Sequence, residues 1–250
     1  MNSFLVGMMA FAAMFGGSIA GMYLRLPLPN HHLRDDSRDV VKLAGGLIGT
    51  LAALVLGLLV ASGKGFYDAQ SSELTQMSAD IVFLDRTLAH YGAETEAVRQ
   101  NLRKTVVAVL EKSWASHRSV VVSLSAVKGA DVLYDQIAAL EPNDDRQRGL
   151  KSDCLSMSVS LGRARWLMYE QASASVSKPL LVVMVFWLTV TFCLWGVLAP
   201  INKTLTVTMC ISALSAASAI YLILDMYSPY DGLIQVSDAP LRATLAYLGQ

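Results

Sequence analysis

Four stretches of the chain contain no Asp, Glu, Lys, Arg or His: Phe4 to Leu24, Leu43 to Ser62, Leu180 to Ala199 and Thr204 to Leu224. Each reaches the ~20 residues that a helix needs to cross the hydrocarbon core of a bilayer. In oil every backbone N–H and C=O must be satisfied internally, which leaves a helix as the form such a stretch takes. Lys42, Lys64, Lys178 and Lys203 flank the stretches, where their ammonium groups reach the headgroups. Pro179, Pro200 and Pro229 fall outside them, where helices end. Trp187 and Trp195 lie in the third stretch, and only Trp195 is close enough to an end to serve as an interfacial anchor.

Composition agrees. Hydrophobic residues make up 54% and charged residues 16% of the 250, against about a quarter charged in soluble domains, and the mean hydropathy is +0.44. The net charge is zero, so nothing points to nucleic acid, which needs a basic surface. Cys154, Cys193 and Cys210 are odd in number and scattered, and read as small apolar packers rather than a disulfide framework. The first stretch read as a signal peptide would offer Ser18-Ile19-Ala20 as its cleavage site. It lacks a basic leader, however, and exceeds the ~7–15 apolar residues of such a segment.

The fold expected is therefore an all-α membrane protein, with four transmembrane helices and a helical extramembrane bundle between the second and third. Its parts are residues 1–62 (two spans and a short loop), 63–178 (helical domain), 179–225 (two spans) and 226–250 (a turn and a short helix). Four spans put both termini and the domain on one side. Basic residues near the membrane ends divide five against five, so charge does not orient the chain.

Small residues recur at every fourth position: Gly45, Gly49, Ala53 and Gly57 on the second span, Ala13, Gly17 and Gly21 on the first, and Ala213 and Ala217 on the fourth. Such files let backbones approach closely in lipid, within one protomer or between protomers.

Helical periodicity dominates the domain. Met77, Ile81, Leu84 and Leu88 form one stripe, broken at Tyr91-Gly92. Val98, Leu102, Val106, Val109 and Leu110 form a second, and a third segment runs from about Ser119 to Leu140. Asn143 with Asp144 and Asp145 opens a last helix, which carries Leu150, Leu155, Val159, Leu161, Trp166 and Leu167 toward the membrane. The first and last domain helices are expected to extend the second and third spans out of the bilayer. Ser237 is expected to cap a short helix running to Leu248.

Catalytic and nucleotide motifs are absent: there is no P-loop, CxxC pair, HExxH or GxSxG. No enzyme activity, cofactor or metal is expected. His31-His32 beside Asp35-Asp36 reads as a solvated loop, since adjacent side chains share one ion poorly. Arg163 and Arg165 are candidates for drawing anions toward a pore mouth, with a headgroup-facing pair as the alternative. Proton-coupled transporters place Asp, Glu or His at mid-membrane and often break their helices there. None of the four stretches does, so a passive pathway remains open, as does a chain that conducts nothing.

Three segments carry a family resemblance. Gly57-Leu58-Leu59-Val60 leading into Gly65-Phe66-Tyr67-Asp68-Ala69, Pro179 to Phe192, and Asp225 to Leu241 resemble the bestrophin-like family of multi-pass membrane proteins, mostly bacterial. Tyr230 stands where that family more often has Phe. The family takes its name from a topological likeness to bestrophins, pentameric and largely anion-conducting channels with cytoplasmic termini, a cytoplasmic helical domain and a pore lined by the second span. The resemblance thus implies a homo-oligomer, pentameric by analogy, in a bacterial inner membrane, with termini and domain cytoplasmic. It implies a passive path for small inorganic ions, anions before cations. At 100° per residue, Leu47, Leu51, Leu54, Leu58 and Ser62 fall opposite the small file and would line that path as a hydrophobic neck. The alternatives are that this leucine face meets lipid, and that the chain is a non-conducting scaffold or signalling protein whose domain binds a partner.

Overall fold

The computed structural model describes residues 3–27, 35–114, 132–172, 177–200, 202–230 and 232–249. No strand occurs among them. The helices are α1 (Ser3–Leu24), α2 (Asp35–Tyr91), α3 (Glu96–Trp114), α4 (helical residues 132–138), α5 (Asp145–Ala172), α6 (Lys178–Leu198), α7 (Lys203–Met226) and α8 (Ala239–Tyr247). Four of them, α1, α2, α6 and α7, are long and apolar enough to cross a membrane. The chain divides into two compact units, Met1–Gly65 with Ser175–Tyr227 and Phe66–Ala174 with Ser228–Gln250.

In the first unit α1 packs on both α6 and α7. The α1–α6 crossing is built on glycine. A Cβ on Gly17 would stand 2.9 Å from the Thr189 carbonyl oxygen, one on Gly21 would collide with the Cys193 carbonyl, and one on Gly196 would collide with that of Ser18. Removing the side chain at these positions lets the two backbones touch, which in lipid replaces the missing hydrophobic drive with dispersion contacts. Around this crossing Val6, Ala10, Met14, Leu181, Met184, Phe192, Ala213, Ala217 and Ile220 close a core.

The second unit has its own core. The predicted stripes of α2 and α3 are buried there, with Ile137 of α4, Cys154, Leu161 and Met168 of α5, and Val236, Leu241 and Leu248 of the C-terminal segment. α2 leaves its span without a break and ends at Tyr91. Gly92 stops it with φ +145°, where a side chain would meet the Glu94 carboxylate. Asp144 accepts from the Gln147 N–H at 2.6 Å and so caps α5.

Two expectations are corrected. α5 does not run continuously into the third span: Ser177 (ψ 100°) is a non-helical N-cap and Pro179 lies in the first turn of α6. A helix through this point would set the proline ring against the carbonyl four residues back. On α5 the structure adds which residues are covered. Burial follows Cys154, Leu161 and Met168, while Val159, Trp166 and Leu167 are exposed. The cap of α8 is Asp238, whose side chain makes no cap bond, although the Ser237 hydroxyl does accept from the Ala239 N–H at 3.2 Å. The segment expected from Ser119 lies mostly outside the described residues.

One ion pair is sealed into this second core. Asp85, 2% exposed, takes two bonds from Arg99, at 2.9 and 3.0 Å, and one from the Gly249 N–H at 3.3 Å. Breaking such a pair strands the partner charge in a low-dielectric site. Asp85→Ala should therefore cost about 3 kcal/mol, read as faster amide exchange in α2 and α3 of the full chain. A loss below about 1 kcal/mol would class the pair with exposed bridges.

Burial acts on Cys154 as well and pushes its thiol up to about 11 from an ordinary 9.0. The folded state holds this proton more tightly than the unfolded chain. Its contribution to stability is thus complete below about pH 9 and declines as pH rises toward 11. At pH 8 only about one thiol in a thousand is thiolate. Maleimide should leave Cys154 unlabelled until denaturant is added, and rapid labelling of the native chain would contradict its placement.

Candidate functional site: the outward face of the second helix

Through its span α2 turns one face inward, at Gly45, Ala52, Leu59 and Gly63, with Gly49, Val55 and Leu56 half-buried. Steps of three and four keep these on one side of a helix. Gly45 admits the Leu194 side chain (3.6 Å from a Cβ placed there) and Gly49 that of Thr191 (3.9 Å). Near Gly63 lies the Tyr227 ring, at 3.3 Å. The file Gly45-Gly49-Ala53-Gly57 is therefore split. Its first half packs on α6, whereas Ala53 and Gly57 are exposed, with nothing within 4 Å of the Gly57 position. On α1, Ala13 and Gly17 are half-buried and Gly21 is buried.

The opposite face of α2 carries the leucines. Leu47, Leu51, Leu54 and Leu58 are 64, 40, 67 and 60% exposed. Ser62 is exposed too, and its hydroxyl lies 2.9 Å from the Tyr227 hydroxyl. Every span shows some apolar surface, but α2 shows most. Only 17% of its most apolar window is covered by the chain itself, against 33% for α1 and 28% for each of α6 and α7.

Polar groups hold the C-terminal ends of α6 and α7. At the loop end, the Arg25 guanidinium donates to the Ala199 carbonyl and that of Arg38 to the Leu198 carbonyl at 3.2 Å. Both thus occupy the C-terminus of α6, where the helix dipole favours cations. At the other end Asp225 is 2% exposed and interacts with the Tyr221 hydroxyl one turn back. Asp225 and the two arginines play parts that the sequence reading did not assign. The four-residue spacing of Tyr221 and Asp225 was the available signal. The arginines, at opposite ends of a loop, gave none.

Arg163 and Arg165 belong to the second unit. Arg163 is exposed, whereas Arg165 is half-buried, with one guanidinium nitrogen enclosed. In the same unit Tyr230 donates to Gln70 at 3.3 Å, and burial followed by the Glu73 charge raises its pKa. His31 and His32 lie outside the described residues. Among the described residues no three His, Cys, Asp or Glu come together as a metal site.

An all-helical fold with four membrane-length apolar helices and a separate helical unit defines a multi-pass membrane protein. The chain belongs to the bestrophin-like family, whose Bestrophin-like domain model matches residues 12–241. No curated protein and no solved structure matches it significantly.

Proposed function

We propose that the protein is a homo-oligomeric passive channel for small inorganic ions, with α2 lining the axial path. The observation that carries this is the coverage of α2. This span combines the least intrachain packing with a line of leucines, no charge and an exposed pair of small residues, Ala53 and Gly57. Around a symmetry axis, Ala53 and Gly57 allow close approach of a neighbouring helix. Leu47, Leu51, Leu54 and Leu58 then form stacked apolar rings that hold water out at rest. Ser62, tied to Tyr227, lies at the end of that line.

Likeness to bestrophins supports a pentamer, cytoplasmic termini and domain, and anions as the first ions to test. Arg25 and Arg38 are occupied as caps of α6 and are not assigned to the path. The mass of the detergent-solubilised complex tests the assembly. A five-fold mass supports it, and a monomer leaves the leucines to lipid and the chain as a non-conducting scaffold or signalling protein.

A further inference from the structure

The exposed side of α5 changes character along its length. In the half that begins at Asp145 it presents Arg148, Ser152 and Ser156, with Arg148 paired to Asp145 at 3.0 Å. In the half that leads toward α6 it presents Val159 (51% exposed), Ser160, Arg163, Trp166 (57%), Leu167 (47%) and the acidic Glu170. Val159, Arg163 and Trp166 are spaced by four and three, so they share a face. α5 ends at Ala172, five residues before the Ser177 cap of the third span. Trp166 is thus about 9 Å of helix and at most about 18 Å of extended chain from that membrane entry.

The second chain connection into the membrane shows the same feature. Leu233, seven residues past the end of α7 at Met226, is 74% exposed. Exposed large apolar side chains thus lie close in sequence to both of these connections. Trp beside Arg suits the headgroup layer, where the indole takes the interface and the guanidinium a phosphate.

We propose that this end of α5, through Arg163, Trp166 and Leu167, together with Leu233, rests in the headgroup layer of the bilayer, with Arg163 holding a lipid phosphate. Phe83 is the internal contrast. It is also 64% exposed, but it lies nineteen residues beyond Lys64 on one helix, about 28 Å along its axis.

The test uses the full chain in phosphatidylcholine vesicles with and without shallowly brominated acyl chains, which quench indole on contact. With Trp114, Trp187 and Trp195 changed to Phe, Trp166 emission should fall about twofold in brominated lipid, as for an interfacial indole. Phe83→Trp in a chain with all four tryptophans replaced should be unaffected. Arg163→Gln should weaken the Trp166 quenching and remove its increase when phosphatidylglycerol is added. Two results overturn the proposal: Trp166 unquenched but shielded from acrylamide, which places a second copy over it, or unquenched and open to acrylamide, which places it in water. If the multiple variants do not fold, the difference in quenching between the native chain and Trp166→Phe gives the same decision.

Discussion

Replacing Leu51 or Leu58 by Ala should raise ion flux through reconstituted vesicles by about tenfold, the equivalent of removing roughly 1.4 kcal/mol from a barrier. In a symmetric assembly one substitution trims every member of a ring. A leucine ring excludes water because no side chain in it offers a hydrogen bond, and an ion meeting it must shed its own hydration. Shorter side chains widen the neck and admit water, which screens the ion and lowers the barrier. Leu58 is the more informative of the two, at 60% exposed against 40% for Leu51. The same change at Ile211 of α7, equally exposed at 60%, should leave flux unaltered, since a lipid-facing methyl has no part in the path. If all of these proteins are equally tight, the pore assignment fails.

A single methyl has an opposite meaning on α1. Gly21→Ala places a carbon against the Cys193 carbonyl, and neither backbone can move without dragging its helix. Overpacking costs about 1–3 kcal/mol where side chains can yield, and here the obstacle is main chain. Gly21→Ala should lower the melting temperature in detergent markedly, and Gly21→Leu should abolish monodisperse protein. Gly57→Leu makes the complementary experiment. Its position is open within the chain, so the protomer should still fold, but the mass of the assembly should fall. A Gly57→Leu protein with unchanged mass would show that this surface faces lipid. A fully folded Gly21→Leu protein would show that α1 and α6 do not meet as described.

The spans were legible because charge is prohibitive in hydrocarbon, so its absence over twenty residues is a coarse signal that tertiary context rarely alters. The stripes Met77-Ile81-Leu84-Leu88 and Val98-Leu102-Val106 were legible for a related reason: both stripes meet in one core of the same chain. The end of α2 was marked by Tyr91-Gly92, since glycine alone adopts φ +145° cheaply. Which residues of α5 are covered was not legible. On α5, ten apolar residues from Leu150 to Met168 compete for one buried stripe. The winner runs through Cys154, Leu161 and Met168, and includes Ser158 at 7% exposure. Apolar character alone does not separate Cys154, which is buried, from Trp166, which is exposed. On α2, the four-residue file drifts by 40° per step, so Gly45 and Gly49 meet α6 while Ala53 and Gly57 have turned away. The buried pair Asp85–Arg99 was invisible, because fourteen residues of separation across a helix turn carry no local pattern.

Residues on α2 that face a path and residues that face lipid are both exposed and apolar, and water is what distinguishes them. A small charged thiol reagent reaches a cysteine only through water, because it reacts with the thiolate. Planar-bilayer current from Leu54→Cys should change irreversibly when such a reagent is added, and Val207→Cys on α7, 57% exposed, should give no response beyond that of the native chain. A measurable current that the reagent leaves untouched at Leu54→Cys, or that it changes equally at Val207→Cys, would contradict α2 as the lining of the path.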